Sequence, residues 1–248
     1  MPFRRRFAAL AVSLGLAFAF ADHAAAAPSA AAEAMFNAGI SAYRVGDLQR
    51  AAGDWGRAAE GGHPIAAYLA GQLYEQGRGV PRSEANAFHF YSLAASAGHA
   101  EAAVKVGLVY RDGNKELGIK RSYPKAFEMF EKAALAALPE AQYYLADMYR
   151  RGLGVPMQRS ESLRWLILAG AKHHVPSLLE LARIHFDGDG VNQDRIVGWS
   201  FLDLASRFAE GDDTKRVNAA MDKYSRRVQE SEREQAKQVA DDWLAKHS

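Results

Sequence analysis

Four stretches of the chain superimpose on one another: AAYLAGQLYEQGRGV from Ala66, AAVKVGLVYRDG from Ala102, AQYYLADMYRRGLGV from Ala141 and SLLELARIHFDGDGV from Ser177. Their shared aromatic position falls at Tyr74, Tyr110, Tyr149 and His185, in steps of 36, 39 and 36 residues. A period of that length marks supersecondary units that cannot bury an apolar face alone and do so by stacking. The chain is thereby constrained to a one-dimensional array in which each unit packs on its neighbours.

Within each unit the apolar residues recur at helical spacing. Ala66, Ala70, Leu73 and Tyr74 share one face, and so do Ala102, Val106, Val109 and Tyr110, then Ala141, Leu145, Met148 and Tyr149. This is the first helix of a pair. Gly71 and Gly107 stand in its middle, where glycine costs about 1 kcal/mol of helix propensity, so close approach of a neighbouring helix is expected there. The helix then runs into Gly77-Arg78-Gly79-Val80-Pro81, Gly152-Leu153-Gly154-Val155-Pro156 or Gly188-Asp189-Gly190-Val191, as a left-handed cap requires. Ser83, Ser122 and Asp194 follow at one repeat position and are expected to cap the second helices, which carry Phe88 to Tyr91, Phe127 to Phe130, Leu163 to Leu166 and Trp199 to Leu202.

Both ends vary the theme. Residues 34–62 form a shortened copy, with Ala38, Ala42 and Tyr43 in its first helix, Asp47 as cap and Trp55 in its second. Near the other end Val217, Ala220, Met221, Tyr224 and Val228 make one apolar face, and Ser231 with Glu234 has the form of a capping box for a last helix. The expected plan is a signal segment at 1–26, a short linker at 27–33, a solenoid of about five repeats at 34–211 and capping helices at 212–248.

The first residues, Met1-Pro2-Phe3-Arg4-Arg5-Arg6, precede an apolar run at 7–21 and an alanine-rich stretch to Ala27. Those charged, apolar and small-residue zones are expected to form a signal peptide cleaved near Ala26, for export to the periplasm by general secretion, with twin-arginine export on Arg4-Arg5-Arg6-Phe7 as the alternative. The apolar run is shorter than the roughly 20 residues of a membrane-spanning helix, so no stable membrane insertion is expected. Cysteine is absent, so disulfides contribute nothing and stability must come from the core. Removing residues 1–26 takes Arg4, Arg5, Arg6 and Asp22 from 31 basic and 29 acidic residues and leaves 28 of each. A chain of zero formal charge offers no global field for nucleic acid.

The motif Ala-x3-Leu/Ala-Gly-x2-Tyr-x2-Gly-x-Gly-Val, followed by a capping residue, an aromatic, Ala-Ala and Gly, resembles the Sel1-like repeat, a relative of the tetratricopeptide repeat. It covers nearly all of residues 34–245. The resemblance implies an all-α fold, a right-handed α/α solenoid of helix pairs, serving as a protein-binding scaffold. The third copy departs by three extra loop residues, and the fifth replaces tyrosine with His185. Within the family, the export signal, the size, the opening repeat from Met35 to Tyr43 and the long third loop are similar to those of exported negative regulators of sensor-kinase pathways that control exopolysaccharide and motility. That likeness implies a protein partner, the periplasmic domain of a sensor kinase, held in check by the bound repeat protein. The fold leaves two alternatives open, a cell-envelope assembly adaptor and a glycan-binding accessory protein.

No nucleophile stands beside a base, and there is no phosphate loop or metal set, so neither enzymatic activity nor a cofactor is expected. Asp187 to Asp194 alternates carboxylates as calcium loops do, but lacks glycine at Asn192 and glutamate at Gly198. Three sets of residues are candidates for recognition. Tyr68, Val104, Tyr143 and Leu179 form a column beside the core column, with Gln72, Leu108, Asp147 and Arg183 one turn on; they are either core or the lining of a groove that grips a partner. Arg78, Arg111, Lys115, Lys120, Arg121, Arg150 and Arg151 fall on or beside the inter-helix loops and form either a solvated edge or a docking edge for an acidic surface. His63, His99 and His174 share one repeat position, where Leu138 is the exception, and are either polar turn residues or an acid-responsive set.

Overall fold

Alanine loses no side-chain entropy in a helix and lets neighbouring helices come close, and most of the units are built on it. The computed structural model describes residues 27–247; the expected signal segment lies outside the described residues. Twelve helices follow in order among them: α1 (Ala30–Arg44), α2 (Leu48–Glu60), α3 (Pro64–Gln76), α4 (Glu84–Ser96), α5 (Ala100–Asp112), α6 (Tyr123–Leu135), α7 (Pro139–Arg151), α8 (Arg159–Ala171), α9 (Val175–Asp187), α10 (Arg195–Phe208), α11 (Asp212–Ser225) and α12 (Glu230–His247). From α1 to α10 they form five helical hairpins, each packed on the next. At the end α11 rests on α9 and α10, and α12 returns onto α10. The result is an all-α repeat solenoid.

Two contiguous clusters make the core. The smaller, between α1, α2 and α3, gathers Ala42, Ala51, Trp55, Ala58, Ala66, Ala70 and Leu73. The larger runs from there to α12 through Tyr91, Phe130, Leu145, Leu178, Phe186, Phe201 and Trp243. A fully buried large side chain of this kind contributes about 1.5–3 kcal/mol.

Gly71 and Gly107 each face an aromatic ring of their own hairpin. A Cβ on Gly71 would lie 2.7 Å from the Tyr91 ring, and one on Gly107 would lie 2.6 Å from the Phe130 ring. The loop glycines have a second duty beyond the left-handed cap. Gly79, Gly154 and Gly190 lie against Leu48, Tyr123 and Arg159, each the first residue of the second helix in the preceding hairpin. At Gly154, with φ +76°, a Cβ would come within 2.7 Å of the Tyr123 backbone. The loop of one hairpin is thus seated on the helix start of the one before.

Several local expectations are corrected. Helix α1 begins at Ala30, inside the stretch read as a linker, because Ser29 Oγ accepts from Ala32 N at 3.1 Å and Ala32 is buried. Ser83 and Asp194 do accept backbone N–H groups, but Ser122 makes no such bond. Pro124 stands at the second position of α6 and has no N–H to offer. Helix α12 starts at Glu230, so Ser231 is already helical; Glu232 Oε2 reaches back to Gln229 N at 2.8 Å and replaces the box expected from Ser231 and Glu234.

Candidate functional site

The column of Tyr68, Val104, Tyr143 and Leu179 and the histidine column meet in space. Phe36 stacks on His63 with ring centroids 4.1 Å apart, Tyr68 on His99 at 4.3 Å, and Tyr143 lies 5.5 Å from His174. Each pair joins the first helix of one hairpin to the start of the first helix of the next. At the remaining junction the same two positions are Val104 and Leu138, both in the large apolar cluster. Val104 is buried, and Tyr68, Tyr143 and Leu179 are half-buried. This column is therefore largely occupied in holding neighbouring hairpins together.

Two of the three histidines also close helix ends. His63 Nδ1 accepts from Ala66 N at 3.2 Å and His99 Nδ1 from Ala102 N at 3.4 Å, while His174 Nδ1 meets Ser177 Oγ at 2.9 Å. An acceptor nitrogen must be unprotonated. Burial pushes His99 below its ordinary value against the opposing pull of Glu101, and pushes His174 down to about 4. His185, in the place of the repeat tyrosine, is buried, stacks 5.7 Å from Phe201 and is likewise lowered by burial.

Gln72, Leu108, Asp147 and Arg183 lie half-buried one turn on. Beside them runs a ladder that spacing within one repeat does not reveal. Lys105 Nζ donates to Glu75 Oε1 at 2.9 Å, Arg111 lies 5.2 Å from the Tyr144 ring centroid, and Arg150 Nε is 3.4 Å from Glu180 Oε1. Burial raises Glu75, but hydrogen bonds from Lys105 and Tyr91 outweigh it and hold the carboxyl below the usual range. Further along, Arg183 binds Glu180 at 2.8 Å and Asp189 at 2.9 Å, which keeps the guanidinium charged and the Asp189 carboxyl below its usual range. Arg159 reaches Asp189 from the preceding hairpin at 3.2 Å. A cleft of about 40 Å³ between Tyr143, Asp147, Arg150, Ser162, Leu166 and Glu180 has room for water rather than for a small-molecule ligand.

Residues expected on one basic edge separate into two kinds. Arg111 is bound to Asp112, Arg150 to Asp147 and Glu180, and Arg151 to Asp147. Arg78 lies over the Tyr43 ring and donates to its hydroxyl at 3.4 Å. Lys115, Lys120 and Arg121 lie together on the long third loop, exposed, with Lys125 beside them. Sequence reasoning left Glu75, Lys105, Tyr144 and Glu180 off the groove, and the signal of all but Tyr144 is a separation of thirty residues from the partner. That spacing recurs in Glu75 with Lys105, Arg159 with Asp189 and Glu84 with Asn114.

Among the described residues no helix is long and apolar enough to cross a membrane, and no group of three or more His, Asp or Glu side chains could hold a metal ion. The fold and its two surfaces define a repeat solenoid with protein-sized faces and water-sized clefts. The Sel1 repeat model matches residues 64–99, 100–137, 139–174 and 175–207, and the chain belongs to the Sel1 repeat family. It is 27% identical over 179 residues to a protein of Rhizobium meliloti (strain 1021) named exopolysaccharide production negative regulator, covering 68% of this chain and 67% of that one. A protein of the same name from Rhizobium leguminosarum bv. viciae is 26% identical over 164 residues, 62% of this chain and 61% of that one. The crystal structure of a Sel1 repeat protein from Oxalobacter formigenes superposes with a TM-score of 0.67 at 23% identity, over 74% of this chain and 76% of that one, and shares the fold.

Proposed function

We propose that the protein is an exported regulator that acts by binding, restraining the periplasmic domain of a sensor kinase and thereby repressing exopolysaccharide production. One observation carries the reading: the likeness to two proteins named exopolysaccharide production negative regulator covers 68% and 62% of this chain rather than one motif. The solenoid supports it. Its clefts are water-sized and its groove and loop edge are extended, which suits a protein ligand better than a small molecule. The residues Gln72, Leu108, Asp147 and Arg183 and the basic loop residues are the surfaces offered to the partner, and the three turn histidines, buried or half-buried between hairpins, are the elements through which a signal acts. Export rests on the charged, apolar and small-residue zones of residues 1–26.

The test is deletion of the gene, followed by measurement of exopolysaccharide and of transcription. Derepression of one two-component regulon with excess polysaccharide is expected. Unchanged transcription would sink the proposal.

A further inference from the structure

Across the described part of the molecule most cations are neutralised at home. Arg50 and Arg57 pair with Asp54, Arg82 with Glu84, Lys105 with Glu75, Arg183 with Glu180 and Arg207 with Asp203 and Asp241. The third loop differs. Lys115, Lys120, Arg121 and Lys125 are all exposed. Arg121 donates to Tyr123 Oη at 3.4 Å and lies 5.8 Å from that ring's centroid, and Lys125 Nζ lies 5.2 Å from the Tyr110 ring centroid. Contact with an aromatic face orients a cation and leaves its charge in place. Two of the neighbouring acids are already engaged, Asp112 by two 2.8 Å hydrogen bonds from Arg111 and Glu84 by Asn114 and Arg82, while Glu116 stands exposed beside Lys115.

The loop is also built rather than slack. Asn114 and Ile119 exchange both backbone hydrogen bonds at 2.8 Å, the single bridge pair among the described residues. Asn114 Oδ1 accepts from Leu117 N at 3.0 Å, and Asn114 Nδ2 donates to Glu84 Oε2 at 3.0 Å, pinning the hairpin to the start of α4. Ser122 N closes its base on Tyr110 O at 2.7 Å. Insertions confined to one repeat map to loops on one face of a solenoid, which is often the binding face.

We propose that the hairpin of residues 113–121, with Lys125, is a preformed docking finger for an acidic segment of the partner protein, an inference that rests on the protein-binding reading above. A rigid array of uncommitted charges loses little entropy on binding and steers encounter with a complementary surface. The finger suits a peptide rather than an anionic membrane. Its apolar residues Leu117 and Ile119 are half-buried and not free to enter lipid, and Glu116 stands exposed among the cations, where a peptide can pass it but a charged plane cannot.

The test places a photo-crosslinking residue at Lys115 or Glu116 in the full chain inside the cell, with Gln72 and Arg183 in the groove for comparison, and maps the captured segment by mass spectrometry. The expected result is capture from the hairpin positions through a stretch of net negative charge. The K120E/R121E variant should lower that capture roughly ten-fold or more, K120R should keep it, and thermal melting should not change. No capture from the hairpin, capture of a neutral or basic segment, or capture insensitive to charge reversal overturns the proposal. So does charge-dependent sedimentation of the purified chain with phosphatidylglycerol vesicles in place of protein capture. Derepression in the deletion strain alongside failed hairpin capture would remove this inference and leave the regulator standing, whereas hairpin capture without derepression would remove the regulator.

Discussion

At His99 the ring nitrogen that accepts from Ala102 N must be neutral, and burial favours the neutral ring at both His99 and His174. The folded value lies below the ordinary 6.5 at both, about 4 for His174. Their contribution to stability is therefore complete above pH 6.5 and is lost as the pH falls from there toward 4. A His99→Asn/His174→Asn variant, which keeps a capping side chain without a titrating ring, should match the parent near pH 7 and melt at a higher temperature than the parent near pH 4. Subtracting the two melting profiles removes the carboxylates that protonate in both chains. Another residue-level effect lies at the turn between hairpins, where Gly62 and Gly98 have φ of +86° and +88° while Ala137 and His173 sit at +62°. A left-handed alanine costs about 1–2 kcal/mol, partly offset by the extra freedom that glycine has in the unfolded chain. Ala137→Gly should accordingly raise the unfolding free energy measured by urea titration by about 0.5–1 kcal/mol.

Among the elements, the loop that seats one hairpin on the next is sensitive in a way its exposure conceals. Gly154→Ala meets both an unfavourable φ and the Tyr123 backbone, whereas Gly46→Ala, at φ +83°, has nothing within 4 Å of the added carbon. Urea unfolding should show a loss of about 1–2 kcal/mol for Gly46→Ala and a clearly larger one for Gly154→Ala. The helix pairs and their mid-helix glycines were legible in the sequence because one unit, copied in phase, repeats the same small residue opposite the same aromatic. Features that bridge two units were not. Tyr68 with His99 and Tyr143 with His174 read as members of two separate columns, and Phe36 as a member of neither, since their partnership appears when neighbouring copies are stacked. The last helix start was misplaced by two residues, at Ser231 with Glu234 instead of Gln229 with Glu232, because the same three-residue spacing occurs twice in succession.

For the molecule as a whole, a one-dimensional array transmits damage to neighbours and little farther. Trp243 on α12 is buried against Phe201 of α10, with ring centroids 5.9 Å apart. Trp243→Ala should cost about 3–5 kcal/mol locally. Hydrogen exchange should speed up in α9, α10 and α12 while α1 to α4 keep their protection; uniform acceleration along the chain would mean that the array unfolds as one unit. The solenoid could be read in advance because its period is a property of the whole chain. The proposed docking edge narrows from seven cations to the hairpin group and Arg78 once the ion pairs that consume Arg111, Arg150 and Arg151 are in view. The pairing of Tyr68 with His99 across a junction has a further consequence for recombination. A crossover made at helix boundaries would join an aromatic from one copy to the aliphatic turn of another. The piece that transplants intact is residues 68–99, from ring to ring, and designed chimaeras of this solenoid should be cut there.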